Sequence, residues 1–378
     1  MKKTLTCICM ITFLLFWGYL TVSASTLETM PDSYTEMEDH LPEDVVNLLP
    51  DGLFSSDPGE AMNAAEGMTR PEYLFRVVLE SVGLQIGDAS TLLFSLLGIL
   101  LLSAVLHRLR ETVAGGGEGV SFILRLCMFA LIVTRASAVV SQVQDFYDRV
   151  SGLMTGLIPV MGGLYAVGGN ITMAAANQEI LLIFLKVCEY VTVTVTPLMC
   201  GICLAFTLLD VFGGGMRVRF APLSALIKKW YTFLLGLLMF LLSVALSAQS
   251  VLAAGADSLS MKGIRYAVGQ MIPVVGGAIA GTLGTVSAGV GMLRSVAGVS
   301  GIVLVGLMLL PTLIRLLLFR ACYQLAGALA TVLGCDGEAG LLGEVGSLYG
   351  YVAAAVSICA VVCVLALGIF AHTAVALG

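Results

Sequence analysis

Long apolar runs constrain this chain more than any other feature. They fall at 92–106, 120–140, 179–209, 231–251, 296–319 and 351–372. Repeated runs of roughly 20 apolar residues are the signature of membrane-spanning helices. The sequence therefore predicts an all-α polytopic membrane protein with about six transmembrane helices. Composition agrees: 58% of residues are hydrophobic, 12% are charged, and the mean hydropathy is +0.99. These values exclude a soluble protein.

Within the apolar region one motif occurs twice. Ile158-Pro159-Val160-Met161-Gly162-Gly163 is matched by Ile272-Pro273-Val274-Val275-Gly276-Gly277, and Pro197 and Pro311 recur at the same separation. This points to an internal duplication with units of about 120–210 and 231–320. Proline removes a backbone donor and clashes with the preceding turn. Paired glycines weaken a helix further. The segments 157–176 and 271–293 are thus expected to be broken or re-entrant elements facing the protein interior. Broken backbone at membrane depth is tolerated only against protein or a water-filled cavity. Pro159, Gly162, Gly163, Pro273, Gly276 and Gly277 are accordingly the candidate pore or packing residues.

Orientation follows from Lys and Arg. Residues 1–24 read as a secretory signal peptide, with Lys2 and Lys3 before the apolar Leu5–Leu20 and small residues at Val22-Ser23-Ala24. An uncleaved anchor is the alternative. Residues 25–91 form an acidic extracytoplasmic segment, ending in an amphipathic surface helix over 71–87 that begins with a proline. The multi-pass membrane domain follows over 92–378. His107, Arg108 and Arg110 then mark the cytoplasmic side, as do Arg217, Arg219, Lys228 and Lys229 in the most basic loop, 210–230. Arg315 and Arg320 are expected near the same face. This assignment requires an even number of crossings between 120 and 210 and makes the two units parallel. If 157–176 and 271–293 each crossed fully, the units would be inverted, as in secondary transporters.

No catalytic constellation emerges, and no enzyme activity is expected. His40, His107 and His372 are scattered. Cys200-Gly-Ile-Cys203 has redox-like spacing but lies in an apolar run, and Cys359 and Cys363 sit one helical turn apart. Both pairs read as packing, and no metal, cofactor or nucleic-acid site is implied. The glycines after Gly276 lack the lysine and hydroxyl of a phosphate loop. Intramembrane charges are stronger candidates because they are costly there. Lys186 and Glu189 share a helix face and can pair, Arg315 follows Pro311, and Arg125 and Arg135 flank the second span.

The second unit carries a resemblance. Asp257, Lys262-Gly263-Ile264-Arg265-Tyr266-Ala267-Val268-Gly269-Gln270 and the following Pro-Gly motif precede Arg294-Ser295-Val296-Ala297-Gly298-Val299-Ser300-Gly301 and Leu310-Pro311-Thr312-Leu313-Ile314-Arg315. With Leu157-Ile158-Pro159-Val160 and Lys228-Lys229-Trp230, this pattern resembles the stage III sporulation protein AE family over about residues 70–378. The resemblance implies a membrane subunit of an assembly that joins the mother cell to the developing forespore. It implies residence in the mother-cell membrane around the forespore, and partners that include a secretion-type ATPase and ring-forming subunits. It also implies a need for the assembly after engulfment. The family has no catalytic residues to carry over.

Overall fold

The structure is a computed structural model that describes residues 49–50, 52–55, 57–68, 70–112, 117–167, 183–212, 220–241, 243–245 and 276–372. The expected signal peptide, residues 25–48 of the acidic segment, residues 168–176, Pro273 and the preceding Asp257–Gln270 pattern lie outside the described residues. Among those described, all regular structure is helical. Helix α1 spans Pro58–Met68 and α2 spans Pro71–Thr112. Helix α3 spans Gly117–Val167. Helix α4 covers Ile183–Val211, with a π-helical stretch at Tyr190–Val195 before Thr196–Phe212. Helix α5 covers Ala221–Ala245, α6 spans Gly276–Val332 and α7 spans Asp336–His372. Six of these, α2 to α7, are long and apolar enough to cross a membrane.

The hairpin of α6 and α7 is the core. Both helices are lined by residues under 9% exposed, including Val303, Leu304, Val305, Phe319, Tyr323, Val356, Cys359 and Cys363. Helices α2, α3 and α4 pack around it, and α5 lies outermost with Trp230, Phe233 and Phe240 exposed. The hairpin closes in three residues. Gly334 adopts φ +77°, where a side chain would be strained, and the Cys335 amide donates to the Ala330 carbonyl at 2.9 Å. That is the 6→1 bond of a Schellman cap. Glycines in α7 then let the helices meet. A methyl on Gly346 would lie 3.2 Å from Gln324 Cγ and 3.4 Å from Tyr323 Cβ.

Two expectations about helix ends change. The amphipathic helix at 71–87 does not lie apart from the first span, and nothing breaks at 91: α2 runs through both. The junction Asp88-Ala89-Ser90-Thr91 contains no breaker, and the Ser90 and Thr91 hydroxyls donate back to the Gly87 carbonyl at 2.8 and 2.9 Å. Nor does α3 end at the first Pro-Gly motif. It passes Pro159, Gly162 and Gly163 and continues to Val167. A proline inside a helix costs about 3 kcal/mol. Against it stand Leu157, Val160, Met161 and Leu164, all at most 6% exposed. Removing such side chains costs about 2–5 kcal/mol each, so packing outweighs the lost hydrogen bond. Pro311 is likewise carried within continuous helix. At the second motif, Gly276 and Gly277 are the first two residues of α6.

Contacts fix the direction of each helix. Ser103, Arg125, Val211, Phe220 and Glu338 meet at one end. Tyr147 meets Thr192 further up, and a side chain at Gly301 would touch Leu157 and Leu367. Helices α3, α5 and α7 therefore leave the charged end, and α2, α4 and α6 run toward it. The proline-bearing α4 and α6 descend in the same sense, whereas inverted units would run oppositely. Asp210 and the start of α5, with Lys228 and Lys229, thus sit at the same end as the last turns of α2. In cells lacking native cysteines, a Lys229→Cys variant is expected to resist a membrane-impermeant thiol reagent and Asp148→Cys to react. The opposite pattern would place the charged end outside.

Candidate functional site

Acidic residues of α7 tie the charged end together. Glu338, near the helix start, accepts from Arg125 Nε of α3 and from Ser103 Oγ of α2, both at 3.1 Å. Its side chain is 4% exposed and that of Arg125 is 30% exposed. Arg125 also approaches the Val211 carbonyl at the end of α4, at 3.5 Å. Six residues on, Glu344 accepts from Ser224 Oγ at 3.0 Å and pairs with Lys228, bringing in α5. Asp210 takes the Phe220 and Ala221 amides at 2.7 and 2.9 Å. These amides are otherwise orphan donors at the start of α5. Cys335, in the α6–α7 turn, lies 4.0 Å from Ser103 Oγ. Burial pushes its thiol up, which keeps it neutral.

Further from this end, the π-helical turn borders a cleft. Pro197 cannot donate to the carbonyl four residues back. The chain instead widens by one residue, and the Thr196 amide and hydroxyl both reach the Val191 carbonyl, the hydroxyl at 2.9 Å. Such insertions recur at functional sites. Thr196 also bonds the Tyr231 hydroxyl of α5, and Thr192 bonds Tyr147 of α3 at 2.7 Å. The cleft, about 70 Å³, is lined by Val139, Thr192, Pro197, Cys200, Val345 and Tyr349 among others and is almost wholly apolar. It suits hydrocarbon. Among the described residues no group of His, Cys, Asp and Glu is arranged to hold a metal, and the eight described cysteines are free thiols.

The expected intramembrane charges separate. Lys186 and Glu189 do pair, at 2.8 Å, but on the outer surface of α4, with side chains 73% and 38% exposed. They stand in the first two turns described, where a long side chain can snorkel. Arg315 meets Asp88 of α2 at 3.2 Å and lies over the Phe319 ring at 5.3 Å. It is 17 residues, about 26 Å at 1.5 Å per residue, before the end of α6 at Val332. It therefore stands well away from the charged end, where the sequence had set it. The glycines of the first motif are also apart from this machinery. Gly162 is half-buried and Gly163 exposed, and an added methyl on either would meet nothing within 4 Å.

The family model of stage III sporulation protein AE matches residues 58–374. The chain belongs to that family. It is thus a stage III sporulation protein, and the family is not one of known enzymes. No curated protein sequence matches the chain, and no solved structure does. In this family member, residues 58–374 coincide with the described helical body from α1 to α7.

Sequence reasoning missed Ser103, Asp88, Glu338, Glu344, Tyr323 and Tyr349. A signal was present for two of them. Glu338 and Glu344 are the carboxylates beside an apolar run, with Gly337, Gly340, Gly343 and Gly346 at every third position. Gly337 and Gly346 mark close approaches to Arg125 and to Tyr323 and Gln324, and acids beside an apolar run must find partners.

Proposed function

We propose that this protein is a membrane subunit of a secretion-like channel assembly between mother cell and forespore, needed for forespore development after engulfment. The family match over 58–374 carries the reading. Six helices long and apolar enough to span a bilayer support a multi-pass subunit. The common direction of α4 and α6 argues against the inverted units of a stand-alone transporter. In this reading the protein sits in the mother-cell membrane surrounding the forespore, contributes no catalysis, and meets a secretion-type ATPase and ring-forming subunits through its exposed apolar faces. Pro159, Gly162, Gly163, Pro273, Gly276 and Gly277 shape the region where its two units approach a path through the assembly.

The test is deletion of the gene. Vegetative growth is expected to be normal, and spore development to stop after engulfment. Normal sporulation with a growth defect on one nutrient would overturn the proposal in favour of a transporter.

A further inference from the structure

Three arginines stand at intermediate depth in the bundle: Arg135 on α3, and Arg315 and Arg320 on α6. Among the described residues the one ion pair they form is that of Arg315 with Asp88, which takes one nitrogen and is itself half-exposed. Arg315 Nε is buried without a hydrogen-bond partner. Arg135 forms no ion pair with a described residue. Cationic side chains at such depth are costly unless paired.

Beside these guanidiniums are two buried phenols. Tyr323 of α6 is 0% exposed and Tyr349 of α7 is 5% exposed. Their rings lie 5.2 Å apart and their buried hydroxyls approach each other, with no other polar partner. Tyr349 is within electrostatic reach of both Arg315 and Arg135, and Tyr323 of Arg135. Phe319 packs on Tyr349 at 6.0 Å and under Arg315 at 5.3 Å, which fixes one wall. Gly350, next to Tyr349, leaves room for the Arg320 guanidinium, which a methyl there would meet at 2.9 Å.

A buried phenol normally finds a partner. One phenol can donate to the other, but the second phenol O–H and the Arg315 Nε–H are then left without an acceptor in a locally cationic site. The missing group must be an acceptor, and a negative one offsets the charge as well. We infer that Arg315, Tyr323 and Tyr349, with the positive charge of Arg135 in reach, form a binding site for a compact oxyanion of the phosphate type. Guanidinium N–H groups bind its oxygens with charge-assisted hydrogen bonds, and the phenols donate from the opposite side. The oxyanion is supplied either as free phosphate or as the headgroup phosphate of a lipid. The site stands independently of the channel reading.

The experiment measures thermal unfolding of the purified full-length protein in detergent. Inorganic phosphate is titrated against sodium gluconate at constant ionic strength. A ligand of the folded state raises Tm with its concentration. Phosphate is expected to raise Tm, and Tyr349→Phe or Arg135→Gln to weaken its apparent affinity by about tenfold, as for a lost hydrogen bond to a charged group. Tyr349→Phe keeps the ring and its packing, so it remains informative if Arg135→Gln fails to fold. A second arm uses nanodiscs of phosphatidylcholine with and without phosphatidylglycerol. A stabilisation seen only with phosphatidylglycerol, and lost in Tyr349→Phe, assigns the oxyanion to a lipid headgroup. No stabilisation in either arm, or equal stabilisation of wild type and both variants, overturns the site.

Discussion

Replacing Glu338 with alanine is expected to destabilise the protein by about 3–5 kcal/mol, the cost of removing one partner from a buried ion pair. The carboxylate is 4% exposed and receives both Arg125 and Ser103. Its loss leaves a guanidinium between α3 and α7 with only the distant Val211 carbonyl. Because Arg125 keeps 30% of its side chain exposed, the lower end of that range applies. Ser103→Ala removes a single hydrogen bond and should cost about 1 kcal/mol. Arg125→Ala combined with Glu338→Ala should cost less than the two single changes summed, since no charge is stranded. Unfolding of the three variants in detergent checks this. Equal, small losses for Glu338→Ala and Ser103→Ala would mean that Arg125 does not depend on the carboxylate.

The second large effect is expected at Gly301. A methyl group there would lie 3.1 Å from Leu157 Cδ1, 3.1 Å from Leu367 Cδ1 and 3.3 Å from Leu367 Cδ2. These contacts are tighter than packed carbons tolerate. They join α3, beside its Pro-Gly motif, to both helices of the core hairpin. Gly301→Leu is expected to cost about 1–3 kcal/mol or more through overpacking, and Leu157→Ala in the same chain to recover part of it by returning volume. Gly163→Ala provides the contrast. Open space surrounds that position, and exchanging glycine for alanine in a helix favours folding by up to about 1 kcal/mol. A Tm that falls for Gly163→Ala and holds for Gly301→Leu would contradict the packing described.

The sequence disclosed the helical class and six stretches long and apolar enough to span a membrane. Those properties depend on hydropathy and charge, which are local. Helix ends were harder to read. Pro159 signals a break when judged by backbone chemistry alone, but Leu157 lies beside Gly301, more than 100 residues away in sequence, and Val160 and Leu164 are buried in the same core. The same limit hid the fusion of 71–87 with the first span. Hydropathy also does not distinguish lipid from protein as the neighbour of an apolar residue. The apolar run of α7 is 67% buried within the bundle, whereas that of α5 is 12% buried. For the candidate site, Lys186 and Glu189 were legible because a helix places i and i+3 together. Asp88 with Arg315, and Ser103 with Glu338, were not, because only the tertiary fold makes them neighbours.

The position of Glu338 in the chain has a consequence for biosynthesis. It is made 213 residues after Arg125, the residue it neutralises. At roughly 5–20 residues per second, the nascent chain carries that cation without its counter-charge for about 10–40 s. During this interval α2 to α5 also lack the hairpin around which they pack. The α6–α7 hairpin, made after the helices that pack around it, thus acts as a keystone, and a chain truncated before Asp336 retains the five segments α2 to α6 without the helix that completes their centre.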